Sequence, residues 1–500
     1  MRNRRDLYLL LSFALYTPCN AYAQAEGLTA AEAPAFDTML AQVYERHPSL
    51  AAQRDELRIL DERVSQANAG YRPNLSANAA YGRQRLKVSQ QQWQYGEDQR
   101  KGLVATQPLF SGFSTVAQSR AAKERVMAGR AQLLVTEQNV LFAAISSWLD
   151  VCAREKILEL NRENLVRLKS YVTASKDRYQ AGDSTTTDVA LAESRYAEAE
   201  SQLALAEAER DAALAAYERN TGFTARIDSF PAPPAELPLT LEQTLDLARR
   251  NPELARAAHL QSAAEHDIDS ASSSLWPNVT LNAAMNEERS TAFALGKLRN
   301  DSMTVNVSIP LYQGGAEYSR IREAKLAREK TRENALDTAR ETIQRAKTAW
   351  ANFSASIKVI QASKRSTHSA RDALDGINVE HHEGTRTLTE VLDAQSEVLS
   401  SQIAETQAHK NSRVEAYRLM ASVGKLTAEG LHLPVRTYDP QTHYEDTAGR
   451  WIGTSIDDYK QPEENTAPAA DDIPPEKSTQ APTETGEAQL LVEARDLFGQ

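Results

Sequence analysis

Two cysteines in 500 residues, Cys19 and Cys152, are too few for a disulfide framework. No apolar run beyond the first two dozen residues approaches the roughly 20 that a membrane-spanning helix needs. Any passage through a bilayer would therefore be made by strands of a closed barrel, whose backbone groups satisfy one another. Positive charge is also short: 57 Lys and Arg stand against 68 Asp and Glu, and the formal charge of −11 leaves no basic field for nucleic acid. Walker, GxSxG and HExxH motifs are missing, as is any Cys/His cluster at metal-ligand spacing. No enzyme activity, cofactor or metal centre is expected. The one tempting pair, His381 with His382, sets adjacent rings about 100° apart on a helix, which chelates poorly.

What is present begins with a leader. Arg2, Arg4 and Arg5 precede an apolar stretch from Leu7 to Leu15 and the small-x-small site Ala21-Tyr22-Ala23, the pattern of a signal peptide spanning residues 1–23. Cys19 follows Pro18, where a lipoprotein acceptor site has Gly or Ala. Cleavage after Ala23 removes three Arg and one Asp, taking the charge from −11 to −13 and leaving Cys152 as the single cysteine.

The rest of the chain is written twice. At an offset of 204, His47-Pro48 aligns with Asn251-Pro252 and Pro73-Asn74-Leu75 with Pro277-Asn278-Val279. At an offset of 202, Pro108-Leu109-Phe110 aligns with Pro310-Leu311-Tyr312, Trp148 with Trp350, Gly182 with Gly384, and Gly222 with Gly424. The first repeat is expected over 24–238 and the second over 239–433, followed by an extension over 434–460 and a Pro-, Glu- and Thr-rich tail over 461–500 that reads as disordered. Ala488 to Phe498 is the one stretch of that tail with an amphipathic helical pattern.

Each repeat carries the same parts. A short helix (Phe36 to Arg46; Leu241 to Arg250) ends at an X-Pro pair, and a second helix runs to about Ala69 or Ser273. Strand pairs follow over about 73–108 and 277–310, where Leu75, Ala77, Ala79 and Tyr81 alternate with polar neighbours, as do Met303, Val305, Val307 and Ile309. One apolar and one polar face suits a barrel in lipid with a wet interior, although a half-buried soluble sheet reads the same way. From Gly112 to Gly182 there is no proline, which predicts a helix of roughly 100 Å. Leu134, Leu141 and Trp148, and then Leu158, Leu165, Val172 and Tyr179, recur every seven residues as a seam against a partner helix. The second repeat has its long helix from about Tyr318 to Glu380. Return helices are expected at Thr187 to Tyr217 and Leu388 to Met420.

Four strands per chain cannot close a barrel, and open edges in lipid are costly. Eight strands from two copies fill their own interior, so twelve from three copies is the smallest closure that leaves an opening.

The duplicated plan, with PLFSGF and PLYQGG after the strands, resembles the TolC family of outer-membrane factors over about residues 36–433. The most specific segment is Gly384-Thr385-Arg386-Thr387-Leu388-Thr389-Glu390-Val391-Leu392-Asp393-Ala394-Gln395. Tyr438-Asp439-Pro440, His443-Tyr444 and Trp451-Ile452-Gly453 are similar to the C-terminal extension of members serving type I secretion. The resemblance implies a mixed, mainly α fold: a homotrimeric α-barrel of long coiled helices in the periplasm, joined to a twelve-stranded transmembrane β-barrel in outer-membrane lipid. It also implies an equatorial belt, which the short helices, residues 223–238 and the segment after Leu431 would supply. A periplasmic membrane-fusion adaptor and an inner-membrane ABC exporter, or another pump, are the implied partners.

Glu390 and Asp393 lie three apart and share a helix face; a solvated face, or Glu390 as the capping-box partner of Thr387, explains them without function. The resemblance instead implies an acidic ring at the periplasmic constriction, with Asp188 contributing. It implies likewise that Thr187, Asp188, His381 and Arg386 hold the tip closed, with an Arg386–Asp188 ion pair as latch, and that His381 stands where the family has Tyr. Gly182, Asp183, Gly384 and Thr385 form the tip turns, with adaptor docking as the implied role. The function implied is the passive exit duct of a type I secretion system. A drug efflux duct is the close rival, and a soluble periplasmic coiled-coil scaffold or adaptor is an alternative of another class.

Overall fold

The computed structural model describes residues 36–455 apart from 88–91, 225–228, 235 and 292–295; the expected signal peptide, the 461–500 tail and its 488–498 helix lie outside the described residues. Two copies of one plan follow each other. In the first, α1 (Phe36–Arg46) and α2 (Pro48–Asn68) lead into the strands β1 (Asn74–Leu86) and β2 (Gln94–Ser111), the long helix α3 (Ser114–Ala181) and the return helix α4 (Thr186–Thr221). In the second, α5 (Leu241–Ala248), α6 (Pro252–Ser272), β3 (Asn278–Ser290), β4 (Lys297–Ser308), α7 (Ala316–His382) and α8 (Leu388–Ser422) repeat the order. A short helix α9 (Pro440–Ala448), which local pattern did not predict, closes the described chain.

The X-Pro pairs act as expected. Pro48 and Pro252 occupy the first helical turn, where a missing N–H costs nothing, and His47 and Asn251 cap with side chains that accept from Ser49 and Glu253. At 68 residues, α3 is about 100 Å long. Its seam against α4 is built from alanine as well as leucine: Ala192, Ala199, Ala206 and Ala213 are all buried at seven-residue spacing. Small side chains bring the two axes close, so an alanine seam holds the hairpin without a wide apolar stripe. In α8 the buried line is Leu392, Leu399, Thr406, Arg413 and Met420. Leu141, Trp148 and Leu158 of the expected seam are buried, but Leu134 and Tyr179 are exposed on the single chain.

The largest core lies where α1, α2 and the middle of α3 meet the C-terminal ends of α4 and α8. Met39, Leu40, Leu50, Leu57, Leu141 and Ile145 are buried there, and Trp148 meets the rings of Phe36 and Tyr217 edge-on at 5.5 and 6.0 Å. Phe223, Phe230, Leu431, Val435 and Tyr438 pack on the same cluster. Of the segments expected around the equator, α1, the 223–238 connection and the stretch after Leu431 share this core, while α5 packs against α7.

The strands form a single antiparallel sheet in the order β1-β2-β3-β4, leaving β1 and β4 as edges. The register puts Leu75, Leu103, Met285 and Met303 on one face, and Ser76, Thr106, Asn282 and Thr304 on the other. The apolar face is uncovered: Met303 is 72% exposed, and Val305 and Val307 are each 59% exposed. β2 runs three residues past Pro108 through a bulge at Leu109, whereas β4 stops at Ser308, short of the expected boundary at Pro310. β2 has β3 to pair with beyond its proline and β4 is an edge, which accounts for the difference. The bulge turns Phe110 to the apolar face, where Phe110, Phe113 and Trp276 stack edge-on at 5.1 and 6.3 Å. Gly112 and Phe113 then both take positive φ to enter α3, and a Cβ on Gly112 would lie 2.5 Å from the Ser273 carbonyl oxygen.

Candidate functional site

The two helical hairpins end side by side at a tip, separated from the sheet by long helices of about 100 Å, and each is closed by the same local chemistry. Gly182 (φ 87°) and Gly384 (φ 77°) follow the long helices, and the next N–H in each case reaches back five residues: Asp183 donates to Arg178 O at 2.8 Å and Thr385 to Glu380 O at 3.0 Å. Neither glycine has a heavy atom near a would-be Cβ, so backbone conformation alone demands glycine there. Thr185 and Thr387 then cap the return helices. Each threonine accepts from the N–H three residues on, and the acid there, Asp188 or Glu390, accepts from the threonine's own N–H.

Capping dominates the electrostatics of both acids. The Thr185 N–H, its hydroxyl and the Ser184 hydroxyl hold Asp188 below the usual carboxylate range. Glu390 is driven down to about 2, first by the Thr387 N–H and then by Arg386, whose Nη1 donates at 2.6 Å. The ordinary capping explanation of Glu390 is thus realised in the chain. Arg386 also donates from Nε to Glu380 at 2.7 Å, and these two carboxylates hold its charge more firmly than usual.

The structure brings some of the expected gate residues together and leaves others apart. Within one chain Arg386 faces Glu380 and Glu390, and Asp188 faces Thr185 and Ser184; the Arg386–Asp188 pair is not formed. His381 does link the hairpins. Its Nδ1 lies 2.9 Å from Arg386 O, an atom that can only accept, so Nδ1 donates and Nε2 is left to accept from Arg178 Nη1 at 3.3 Å. Thr187 is exposed on the first turn of α4, and Asp183 contributes its backbone to the turn. Asp393 is exposed and accepts from Arg195 Nη2 of α4 at 2.8 Å. His382 is exposed at the last turn of α7. Below these pairs, Leu168, Ala199 and Leu392 form a small apolar cluster with Tyr171 and Tyr196 beside it.

Sequence reasoning missed Arg178, Arg195 and Glu380. The duplication held a signal for two of them, since Arg178 and Glu380 are equivalent at the 202 offset that also equates Tyr179 with His381. Arg195 carried none, because its partner lies on another hairpin.

The family model described as outer membrane efflux protein matches residues 39–222 and 245–425, one match for each repeat. The chain belongs to the outer membrane efflux protein family. Among its relatives, the outer membrane efflux protein BepC of Brucella suis biovar 1 is 29% identical over 422 residues, covering 84% of this chain and 91% of that one. The alkaline protease secretion protein AprF of Pseudomonas aeruginosa is 23% identical over 341 residues, covering 66% and 70%. The Campylobacter jejuni CmeC outer membrane channel superposes with a TM-score of 0.73 at 14% identity, covering 88% of this chain and 98% of that one.

The chain is therefore a TolC-family channel of the outer membrane with its helices in the periplasm, as the family resemblance implied, and the soluble scaffold alternative falls. Family members are channels rather than enzymes, and they work in tripartite assemblies with adaptors and inner-membrane transporters.

Proposed function

We propose that three copies close a twelve-stranded barrel in the outer membrane and serve as the exit duct of a type I secretion system. The sheet carries the assembly part of this reading: an uncovered apolar face is unfavourable in water, and two unpaired edges are unfavourable in lipid. The duplication supplies a template for closure. Within the chain β2 pairs with β3, Leu103 opposite Met285. Shifted by the two offsets, the same contact becomes Val305 of β4 opposite Tyr81 of the next copy's β1.

At the tip, Asp188, Glu390 and Asp393 would surround the threefold axis as the constriction. Thr187, Asp188, His381 and Arg386 would form its reversible gate, Arg386 exchanging Glu380 for Asp188 of a neighbouring hairpin. Gly182, Asp183, Gly384 and Thr385 would meet a periplasmic adaptor that connects the duct to an ABC exporter.

The observation favouring protein secretion is the extension after residue 434. It is built into the core: His443 Nδ1 donates to Asp61 Oδ2 at 2.9 Å, the Tyr438 N–H donates to the Tyr44 hydroxyl at 3.0 Å, and Arg72 lies over the Trp451 ring. The similarity to a relative named for protease secretion agrees with it. The relative named for efflux favours a small-molecule duct through the same parts. Deleting the gene separates the two: loss of a secreted protein with unchanged drug susceptibility supports secretion, and the reverse supports efflux.

A further inference from the structure

The outward face of the sheet changes character above its apolar band. From Met285 and Leu103 toward the hairpin ends, the same register continues through Ala79, Lys101, Glu287 and Arg299, and then through Tyr81, Gln99 and Arg289. On the first hairpin this side carries Arg83, Arg85 and Lys101, with Lys87 one residue beyond β1 beside the Trp93 ring; on the second it carries Arg289, Lys297 and Arg299. Three carboxylates accompany them, Glu97 with Arg83 at 3.5 Å, Glu287 with Lys297 at 2.8 Å and Asp301 with Arg299 at 3.0 Å. Seven cations against three anions give a local charge of +4 on a chain whose total is −11. The opposite face at the same height holds Arg100 with Asp98 and Glu288, a balance of −1. The positive charge is thus sorted to one side of the sheet.

Among the described residues, Arg85, Lys87, Lys101 and Arg289 form no ion pair. Aromatic rings hold two of them: Arg85 lies 4.4 Å over Trp93 and 5.9 Å over Tyr95, and Lys87 lies 6.0 Å from Trp93. Trp93, Tyr95 and Tyr81 are themselves exposed. Rings with one apolar and one polar end mark the level where hydrocarbon gives way to headgroups. The stacked Phe110, Phe113 and Trp276 mark the other boundary. From Val279, level with Phe110, to Arg289, level with Tyr81, is ten residues, or about 25 Å for a strand tilted near 40°, the height of a membrane-barrel band.

From this placement we infer that the outward rim at the hairpin ends is a binding surface for phosphate-bearing lipid headgroups of the outer leaflet. The inference rests on the barrel reading above. The three carboxylates on this face leave four of its seven cations without an ion pair, and phosphate supplies the missing counter-charge from the leaflet itself. Aromatic contact holds Arg85 and Lys87 beside Trp93, at the level where headgroups begin.

The test uses the full-length trimer in phosphatidylcholine nanodiscs doped with either diphosphoryl or monophosphoryl lipid A, with retained lipid counted by native mass spectrometry. The wild type should retain the diphosphoryl lipid preferentially. Arg85→Gln, Lys87→Gln, Lys101→Gln and Arg289→Gln should together erase the preference, at about fivefold in apparent affinity per cation removed. Arg100→Gln, on the lumen side, should leave it intact, and Arg85→Lys with Arg289→Lys should preserve it. Equal retention of both lipids by a wild type that conducts in planar bilayers overturns the inference and leaves the barrel standing. A wild type that neither inserts nor conducts overturns both. Displacement by millimolar inorganic phosphate would make the rim a general phosphate site and overturn the commitment to lipid.

Discussion

His443→Ala should release the C-terminal extension from the body of the protein. Asp61 is fully buried, its Oδ2 accepts from His443 Nδ1 at 2.9 Å, and its Oδ1 has no partner. Burial raises the Asp61 carboxyl, against the pull of His443 and then of Arg130. The sign follows directly. A carboxyl raised in the folded state contributes stability below its unfolded value and loses it as pH rises through the folded value, so at neutral pH Asp61 is a cost that His443 offsets. Removing the ring forfeits a hydrogen bond to a charged group, worth about 1.5–3 kcal/mol. It also strands a buried charge, for which about 3–5 kcal/mol is the usual penalty; the His443 side chain is 16% exposed, so water can follow and the lower part of the range applies. A net loss of about 3 kcal/mol, from the bottom of that range, is on the order of a hundredfold more opening of α9. Hydrogen exchange of the α9 amides in the purified trimer reads this directly. Asp61→Asn in the same background should recover much of the protection, because no charge is then buried. Unchanged exchange in His443→Ala, or a double variant no better than the single, would refute the reasoning.

Other expectations concern the tip and the junction. Arg386→Ser removes the partner of Glu380 and Glu390 and should raise resting conductance in bilayer recordings, with trimer yield unchanged. Replacing Glu390 and Asp393 with Ala should weaken cation selectivity, measured as reversal potential across a salt gradient, together with block by divalent ions. Glu390, held near 2, contributes stability at pH values above the ordinary glutamate range and loses it as pH falls toward 2, so the tip should keep its closed conductance through pH 5. Gly112→Ala combines a left-handed backbone with a Cβ 2.5 Å from the Ser273 carbonyl; it should cost more than about 2 kcal/mol and lower the yield of folded trimer.

Much of the fold was legible because the sequence states it twice. Matched prolines bracketed both strand pairs, and the long proline-free stretches between glycines fixed the hairpins to within a few residues. What escaped notice was set by tertiary contact. The alanine seam of α4 has no apolar signature strong enough to stand out, although its period is seven. The continuation of β2 past Pro108 depends on β3 lying beside it, and α9 depends on Asp61, 382 residues away in sequence. At the tip, sequence located the turns, the capping threonines and their acids, since caps are local. It could not supply Arg195 for Asp393, because that bond joins two hairpins.

The central claim is closure of the sheet by three copies in the register of the duplication. Cysteines placed at Tyr81 and Val305, in a Cys152→Ser background, test it in outer-membrane fractions under mild oxidation. The account predicts disulfide-linked trimers from the double variant and none from either single variant. A pattern of dimers alone, or efficient linkage only when Val305 is moved by several residues along β4, would contradict it.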